Sequence, residues 1–542
     1  MVVKMDTYYG SVASKGIAIG KIYELKKVTN SVKYKGVNDI ELEKARFIKA
    51  QEIAIEEIDL LYKLALKEIG EEHALIFEVH KMLIKDVEYA EAIIQKIETQ
   101  SVNAEYAINE VSKTFFNAFD SMEDEFARSR GADIKDVSDR LLHILSNKPQ
   151  NKLEIHTPCI VVADDLTPSE TVQMDKSKIL GFVTKKGSVN SHTAILARTM
   201  AVPALVGVEI PDGLEGKLAI IDGTKARLVV NPEEEIIREA ENISRSEMEE
   251  NKLLQELKGK ESITKYGKKI NLYANVASIE DVKFALENDA EGIGLFRSEF
   301  IYLEQTDYPS EEMQFDIYKK AVSLMEGKRV IIRTMDIGAD KQIDYFNMEK
   351  EENPALGYRA LRICLVQEEI FRTQLRALLR ASSFGKLAIM IPMVISEWEV
   401  IKVKEMLIEE EEKLVTQNIA VGKYEFGIMV ETPAAALIAE DLAKHVDFFS
   451  IGTNDLMQYT TAIDRQNQKL DKFYDAHHPA VMKLIEMVAK AGRENGVWTA
   501  ICGELGADIT LTKTFIDYGI DELSVSPSCL LSIRKVIREL DK

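Results

Sequence analysis

Apolar residues recur along the chain with two different periods, and the changes of period divide it. Residues 1 to about 35 carry short β-like runs, among them 14–20 and 21–23. From Asn38 to about Leu145 the spacing turns helical: Leu42, Phe47, Ile53, Ile58, Leu61 and Leu64, then Leu75, Ile76, Val79, Met82 and Leu83, then Ile108, Val111, Phe115 and Phe119. Gly70, Ser101 and Gly131 punctuate this segment, which predicts an antiparallel subdomain of about three or four helices. The β pattern returns at 159–163, 179–183, 204–206, 218–223 and 226–230, so a sheet domain is interrupted by a helical insert. Residues 233–256 lack Gly and Pro and alternate acids with bases, as in Glu235 with Arg238 and Arg245 with Glu249, which predicts an exposed linker helix. Eight β-like runs follow, at 270–276, 292–296, 330–333, 387–392, 426–430, 448–451, 498–501 and 522–525, each separated from the next by helical stretches. That alternation predicts a (β/α)8 barrel. The expected architecture is multidomain α/β. Residues 1–35 and 146–232 form a β/α domain, 36–145 a helical insert, 233–260 a linker helix and 261–542 a TIM-type barrel.

Composition narrows the setting. The 542 residues exceed one ordinary core, and 46% apolar content is that of a globular protein. No apolar run is long enough to span a bilayer, and residues 1–6 lack the apolar core of a signal peptide. Cys159, Cys364, Cys502 and Cys529 are scattered without metal-type spacing, which fits a reducing cytoplasm. A net charge of -21 argues against nucleic acid as a partner and requires any anion site to gather its own arginines.

Chemistry in a (β/α)8 barrel belongs at the C-terminal ends of the strands. Arg297 follows the second run. Arg333 ends the third, with Asp336 beyond it. Glu431 follows the fifth, Asn454 and Asp455 the sixth, and Cys502 the seventh. Glu431 and Asp455 suit a magnesium ion with open positions, although each acid alone reads equally as a helix cap. Arg297, Arg333 and Arg465 suit bidentate contact with a phosphate, with Lys341 as a further charge, although surface ion pairing is the commoner fate of arginine. Cys502 reads either as a small buried hydrophobe or as a proton donor. Together these groups fit a phosphorylated enol acid that loses its phosphoryl group and is protonated on carbon. A second centre lies in the sheet domain, at residues 187–207. Ser191 is a good N-cap, which places His192 at a helix N-terminus, where free N–H groups favour an anion and a phosphoryl group could be carried. On spacing alone, a histidine packed at a helix start reads as well.

The chain resembles enzyme I of the bacterial phosphoenolpyruvate-dependent sugar phosphotransferase system over nearly its whole length. The motifs that carry the likeness are SHTAILAR around His192, EGIGLFRSEF at 291–300, RTMDIGADK at 333–341, EENPALGYRALRI at 351–363, GIMVETPAAA at 427–436, FFSIGTNDLMQYTTAIDR at 448–465 and CGELGAD at 502–508. The resemblance implies a swivelling phosphohistidine domain with His192 phosphorylated through Nε2. It implies phosphoenolpyruvate bound by Arg297, Arg333, Asn454, Asp455 and Arg465, Mg2+ held by Glu431 and Asp455, and Cys502 as proton donor. Thr171 matches a family threonine that hydrogen-bonds the resting histidine. The helical insert resembles the docking site for the phosphocarrier protein HPr, with 71–78 and 122–126 in matching stretches. A homodimer formed through the barrel is likewise implied, although family members commonly continue beyond the position of Lys542. The family usually has two glycines where this chain has Gly187-Ser188. Two rivals carry over: a pyruvate phosphate dikinase or phosphoenolpyruvate synthase, which would need an ATP-binding domain, and a catalytically silent docking protein.

Overall fold

The computed structural model describes residues 5–25, 32–68, 71–120, 125–146, 155–187, 192–200, 202–303, 305–338, 343–346, 348–349, 351–464 and 467–541. The chain forms two compact units, residues 1–249 and 250–542.

The first unit holds an eight-stranded sheet: β1 (Asp6–Tyr9), β2 (Ser11–Ser14), β3 (Ile17–Leu25), β4 (Cys159–Ala163), β5 (Ile179–Thr184), β6 (Ala204–Val206), β7 (Leu218–Asp222) and β8 (Arg227–Val230). Its order is β1-β8-β7-β3-β4-β5-β6-β2. The greater part of the runs at 14–20 and 21–23, residues 17–23, thus lies in one strand, β3, while Ser14 ends β2. Strands β3 to β6 are parallel neighbours, and β4 is buried along its length. Side chains alternate faces on a strand, so β4 needs apolar residues throughout. Cys159, Val161 and Ala163 pack on one side, Ile160 and Val162 on the other.

The insert between β3 and β4 has five helices among the described residues: α1 (Ile40–Glu68), α2 (Glu71–Lys85), α3 (Val87–Gln100), α4 (Ala104–Asp120) and α5 (Glu125–Ser146). This exceeds the three or four expected. Asp86 supplies the additional break, because its carboxylate accepts the Tyr89 N–H at 2.8 Å and caps α3, while Gly131 lies inside α5. The buried stripe of α1 is Phe47, Ala50, Ala54, Ile58, Leu61 and Ala65, at steps of three and four. Leu42, Leu64 and Met82, expected in the core, are exposed. Two short helices cross over the sheet, α6 (Pro168–Gln173) after β4 and α7 (His192–Thr199) after β5. The helix expected from the charge pattern is α8 (Glu234–Gln255), in which the first unit gives way to the second.

The second unit is a closed parallel barrel of β9 (Asn271–Val276), β10 (Ile293–Arg297), β11 (Val330–Arg333), β12 (Leu387–Ile391), β13 (Tyr424–Val430), β14 (Phe448–Ile451), β15 (Trp498–Ile501) and β16 (Glu522–Val525). Alternation explains its two cores. Phe449 and Ile451 of β14 face the surrounding helices, while Phe448 joins Tyr273, Met390 and Met429 inside the barrel. The N-terminal end is stoppered: Phe448 and Trp498 stack at 4.5 Å, and the Arg329 guanidinium lies 4.6 Å over the Trp498 ring while pairing with Glu425 at 2.6 Å. No helix among the described residues is long and apolar enough to cross a membrane.

Candidate active site

At the opposite end of the barrel a cavity of about 950 Å3 is lined by Arg297, Arg333, Arg359, Glu431, Asn454, Asp455 and Cys502, with Glu299, Asp336 and Tyr459 among its further walls. The strands deliver most of these groups by their ends. Arg297 is the last residue of β10 and Arg333 the last of β11, paired in register. Glu431 follows β13, Asn454 and Asp455 lie in the first turn of the helix Thr453–Thr461 after β14, and Cys502 follows β15.

Arg333 is buried and gripped from two sides. Its Nη2 donates to Glu299 Oε1 at 2.5 Å, and its Nη1 lies 3.1 Å from Asp336 Oδ2. Asp336 Oδ1 in turn accepts from Arg359 Nη2 at 2.9 Å, and Arg359 reaches Asp455 at 3.7 Å and the Tyr459 hydroxyl at 3.0 Å. Burial alone would lower the pKa of both arginines, but Glu299 and Asp336 around Arg333, and Asp336 and Asp455 around Arg359, raise it above the ordinary value. Neither of these cations gives up its proton, so both remain available to an anion.

Glu431 is fully buried, and its Oε1 accepts the Met393 N–H at 2.7 Å from a residue with φ of 59°. The carboxylate therefore does not cap its own following helix, Pro433–Leu437, which Thr432 caps instead. Burial, then the like charges of Asp455 and Asp336, push Glu431 up to about 8, against the opposing pull of Arg333 and Arg359. Carboxylates crowded in this way form an oxygen donor set that a divalent cation would relieve. Two protein carboxylates also leave the coordination positions that Mg2+ fills with water and substrate oxygens. The donor chemistry of this carboxylate pair fits such an ion. Asn454 is braced by an exchange of two hydrogen bonds with Glu504, each 3.1 Å. Cys502 is buried, with its thiol 3.5 Å from the Ile451 carbonyl oxygen, and burial pushes it up to about 12. It is a thiol at neutral pH, suited to giving a proton rather than attacking as a thiolate.

Six expected site residues, Arg297, Arg333, Glu431, Asn454, Asp455 and Cys502, meet in this cavity. Arg465 and Lys341 lie outside the described residues. Sequence reasoning missed Arg359, Glu299 and Tyr459. Arg359 falls within the motif at 351–363, but it comes from a loop, so a search of strand ends passes over it.

His192 belongs to the first unit. Its backbone opens α7, the helix that follows β5 in the chain, and Ala194, Leu196 and Ala197 anchor that helix on the sheet. Its side chain, the expected N-cap Ser191 and the substituted Ser188 lie outside the described residues. Thr171 is buried on α6, and its hydroxyl donates to the Pro168 carbonyl at 2.9 Å, leaving oxygen lone pairs to accept another bond. In the insert, residues 121–124 and the side chains at 71–75 are likewise outside the described set.

Models of PEP-utilising enzymes match three consecutive stretches: the N-terminal domain at residues 9–130, the mobile domain at 155–226 and the PEP-binding domain at 251–542. The phosphoenolpyruvate-protein phosphotransferase of Priestia megaterium is 42% identical over 98% of this chain and 94% of its own. That of Bacillus subtilis (strain 168) is 42% identical over 99% and 95%, and that of Listeria monocytogenes is 41% identical over 98% and 94%. Among solved structures, the NMR solution structure of Enzyme I (nEIt) protein is 36% identical and covers 44% of this chain and 99% of its own, at a TM-score of 0.39. With relatives this similar across both units, the chain belongs to the phosphoenolpyruvate-protein phosphotransferase family.

Proposed function

We propose that the chain transfers the phosphoryl group of phosphoenolpyruvate to His192 and then to a histidine of HPr, releasing pyruvate as the first general step of sugar phosphotransfer. The observation that carries this reading is the cavity, where held arginines, a crowded carboxylate pair and a neutral thiol converge. Arg297, Arg333 and Asn454, with Arg465, bind the phosphoryl and carboxylate oxygens of phosphoenolpyruvate and spread the negative charge of the in-line transfer. Glu431 and Asp455 would hold a Mg2+ ion, which would supply further positive charge to the phosphoryl oxygens. Uncharged His192 takes the phosphoryl group on Nε2, and the Cys502 Sγ–H gives its proton to the enolate carbon, making the methyl group of pyruvate. His192 and the cavity belong to different units, so the transfer requires the units to meet and then to part before HPr is served at the helical insert. The cytoplasm is the fitting location, and a homodimer through the barrel the fitting assembly.

The test is incubation with labelled phosphoenolpyruvate and Mg2+, with and without HPr, followed by mapping of acid-labile phosphohistidine. Label should appear on His192 and pass to HPr. Labelling of a His192→Ala chain at another site would overturn the assignment, and labelling from ATP would place the chain with the dikinases and synthases.

A further inference from the structure

Strand geometry alone does not account for how Cys502 is held. β15 ends at Ile501, and its pairing with β16 covers only Ala500 with Glu522 and Ile501 with Leu523. The Cys502 N–H still reaches β14, donating to the Ile451 carbonyl oxygen at 3.1 Å. In a regular strand the N–H and C=O of one residue face the same neighbour. Here the carbonyl is turned the other way, towards β9, which lies beyond β16. A peptide rotated out of the ladder in this manner needs a partner from elsewhere.

Asn275 of β9, on the cavity wall, is that partner. Its Nδ2 donates to the Cys502 carbonyl and to the Ser524 carbonyl, each at 3.1 Å. Its Oδ1 accepts from the Ser524 hydroxyl at 2.6 Å. The three bonds fix which way round the amide sits, because a flipped amide would set Oδ1 against two carbonyl oxygens. Both Nδ2 hydrogens are committed, so the side chain keeps no donor for substrate. Room for its anchor is built in: a Cβ on Gly294 would collide with Ser524 Oγ. The residues after Cys502 are held as closely. A Cβ on Gly503 would overlap Thr453 Oγ1, and the Glu504 N–H donates to Asn454 Oδ1 at 3.1 Å.

We propose that Asn275 is the positioning residue for protonation of the enolate: by holding the Cys502 carbonyl it aims the Cys502 thiol. The proposal rests on the reading of Cys502 as the proton donor. The direction of a Cα–Cβ bond follows from the positions of the backbone nitrogen and carbonyl carbon. A residue held at both its N–H and its C=O therefore leaves the thiol only rotation about χ1. Tyr273, Leu295 and Met429 pack in the same interior cluster as Cys502 and limit that rotation. In the transfer the S–H bond breaks as a C–H bond of the pyruvate methyl group forms, which requires sulfur and carbon close together and in line with the proton. Without the Asn275 amide the Cys502 backbone is gripped from the β14 side alone, and the thiol loses its aim.

Turnover of the full chain with phosphoenolpyruvate, Mg2+ and HPr, in H2O and in D2O, tests this. Asn275→Ala should lower kcat about 10- to 100-fold with an unchanged KM for phosphoenolpyruvate. The solvent deuterium isotope effect on pyruvate release should rise above that of the unaltered chain, because proton transfer has become the slow step. A loss of stability alone does not produce that rise. Ser524→Ala keeps the donor but frees the amide to flip, so it should lower kcat about 2- to 10-fold with the same rise in isotope effect. It decides the matter alone if Asn275→Ala does not fold. A folded variant with unaltered kcat, or a loss of kcat without a larger isotope effect, overturns the proposal. A rise in KM at constant kcat also overturns it, by making Asn275 a substrate ligand. A Cys502→Ala chain with full turnover overturns the underlying reading of Cys502 instead.

Discussion

Arg333 is held in place by acids before any substrate arrives. Glu299 and Asp336 fix its guanidinium, and Asp336 also fixes Arg359. Asp336→Ala should therefore leave two buried cations short of a partner and cost about 3–5 kcal/mol of barrel stability. Denaturant unfolding checks this, and a loss below about 1 kcal/mol would show that Asp336 does not bridge them. Glu431 gives a pH dependence. Its pKa rises from 4.5 to about 8 on folding, so its protonated form stabilises the fold. That stability is complete below 4.5 and is lost as the pH rises through about 8. Metal-free protein should show a falling Tm across this window, while Mg2+ affinity rises because the ligand must be ionised. Thermal melts of Glu431→Gln, in which the slope should flatten, and Mg2+ titrations at stepped pH measure the two effects. The residues of this cavity were legible where a strand end announces them. Arg359 and the Met393 N–H were not, because a loop and a left-handed backbone bring them in, and neither leaves a periodic signal.

At the scale of elements, the turn after β14 sets the distance between two active-site segments. A Cβ on Gly452 would lie 2.9 Å from both Glu431 Cβ and Glu431 Oε2. Gly452→Ala should leave the barrel folded but displace the carboxylate, weakening phosphoenolpyruvate turnover about 10- to 100-fold, as kcat/KM will report. In the first unit, Thr167 and Glu170 form a reciprocal cap on α6, the helix that carries Thr171. Thr167→Ala should cost about 1 kcal/mol in a denaturant melt. The barrel strands could be read from the sequence because each is a compact apolar run set between helical stretches. The insert was harder: Ala50, Ala54 and Ala65 complete the buried face of α1, and alanine hardly registers in a hydrophobic pattern. Counting larger side chains instead drew the exposed Leu42 and Leu64 into the core.

At the scale of the whole molecule, the proposed phosphoryl carrier and the proposed donor site belong to separate units. His192→Ala should therefore bind phosphoenolpyruvate with unchanged Kd by calorimetry yet release no pyruvate. A large change in Kd would mean that the histidine also builds the binding site. The division of labour was visible in the sequence as two motif groups flanking a charged helix, whereas how the units approach each other is written in no local pattern. The aromatic stopper of the barrel has an optical consequence. The chain has two tryptophans, Trp398 and Trp498, and both belong to the barrel unit. Trp398 is 60% exposed, while Trp498 is stacked on Phe448 beneath Arg329. Red-edge emission thus comes from the surface and blue-shifted emission from the stopper, so a tryptophan-detected melt follows the barrel alone and is blind to the fate of the sheet and its helical insert.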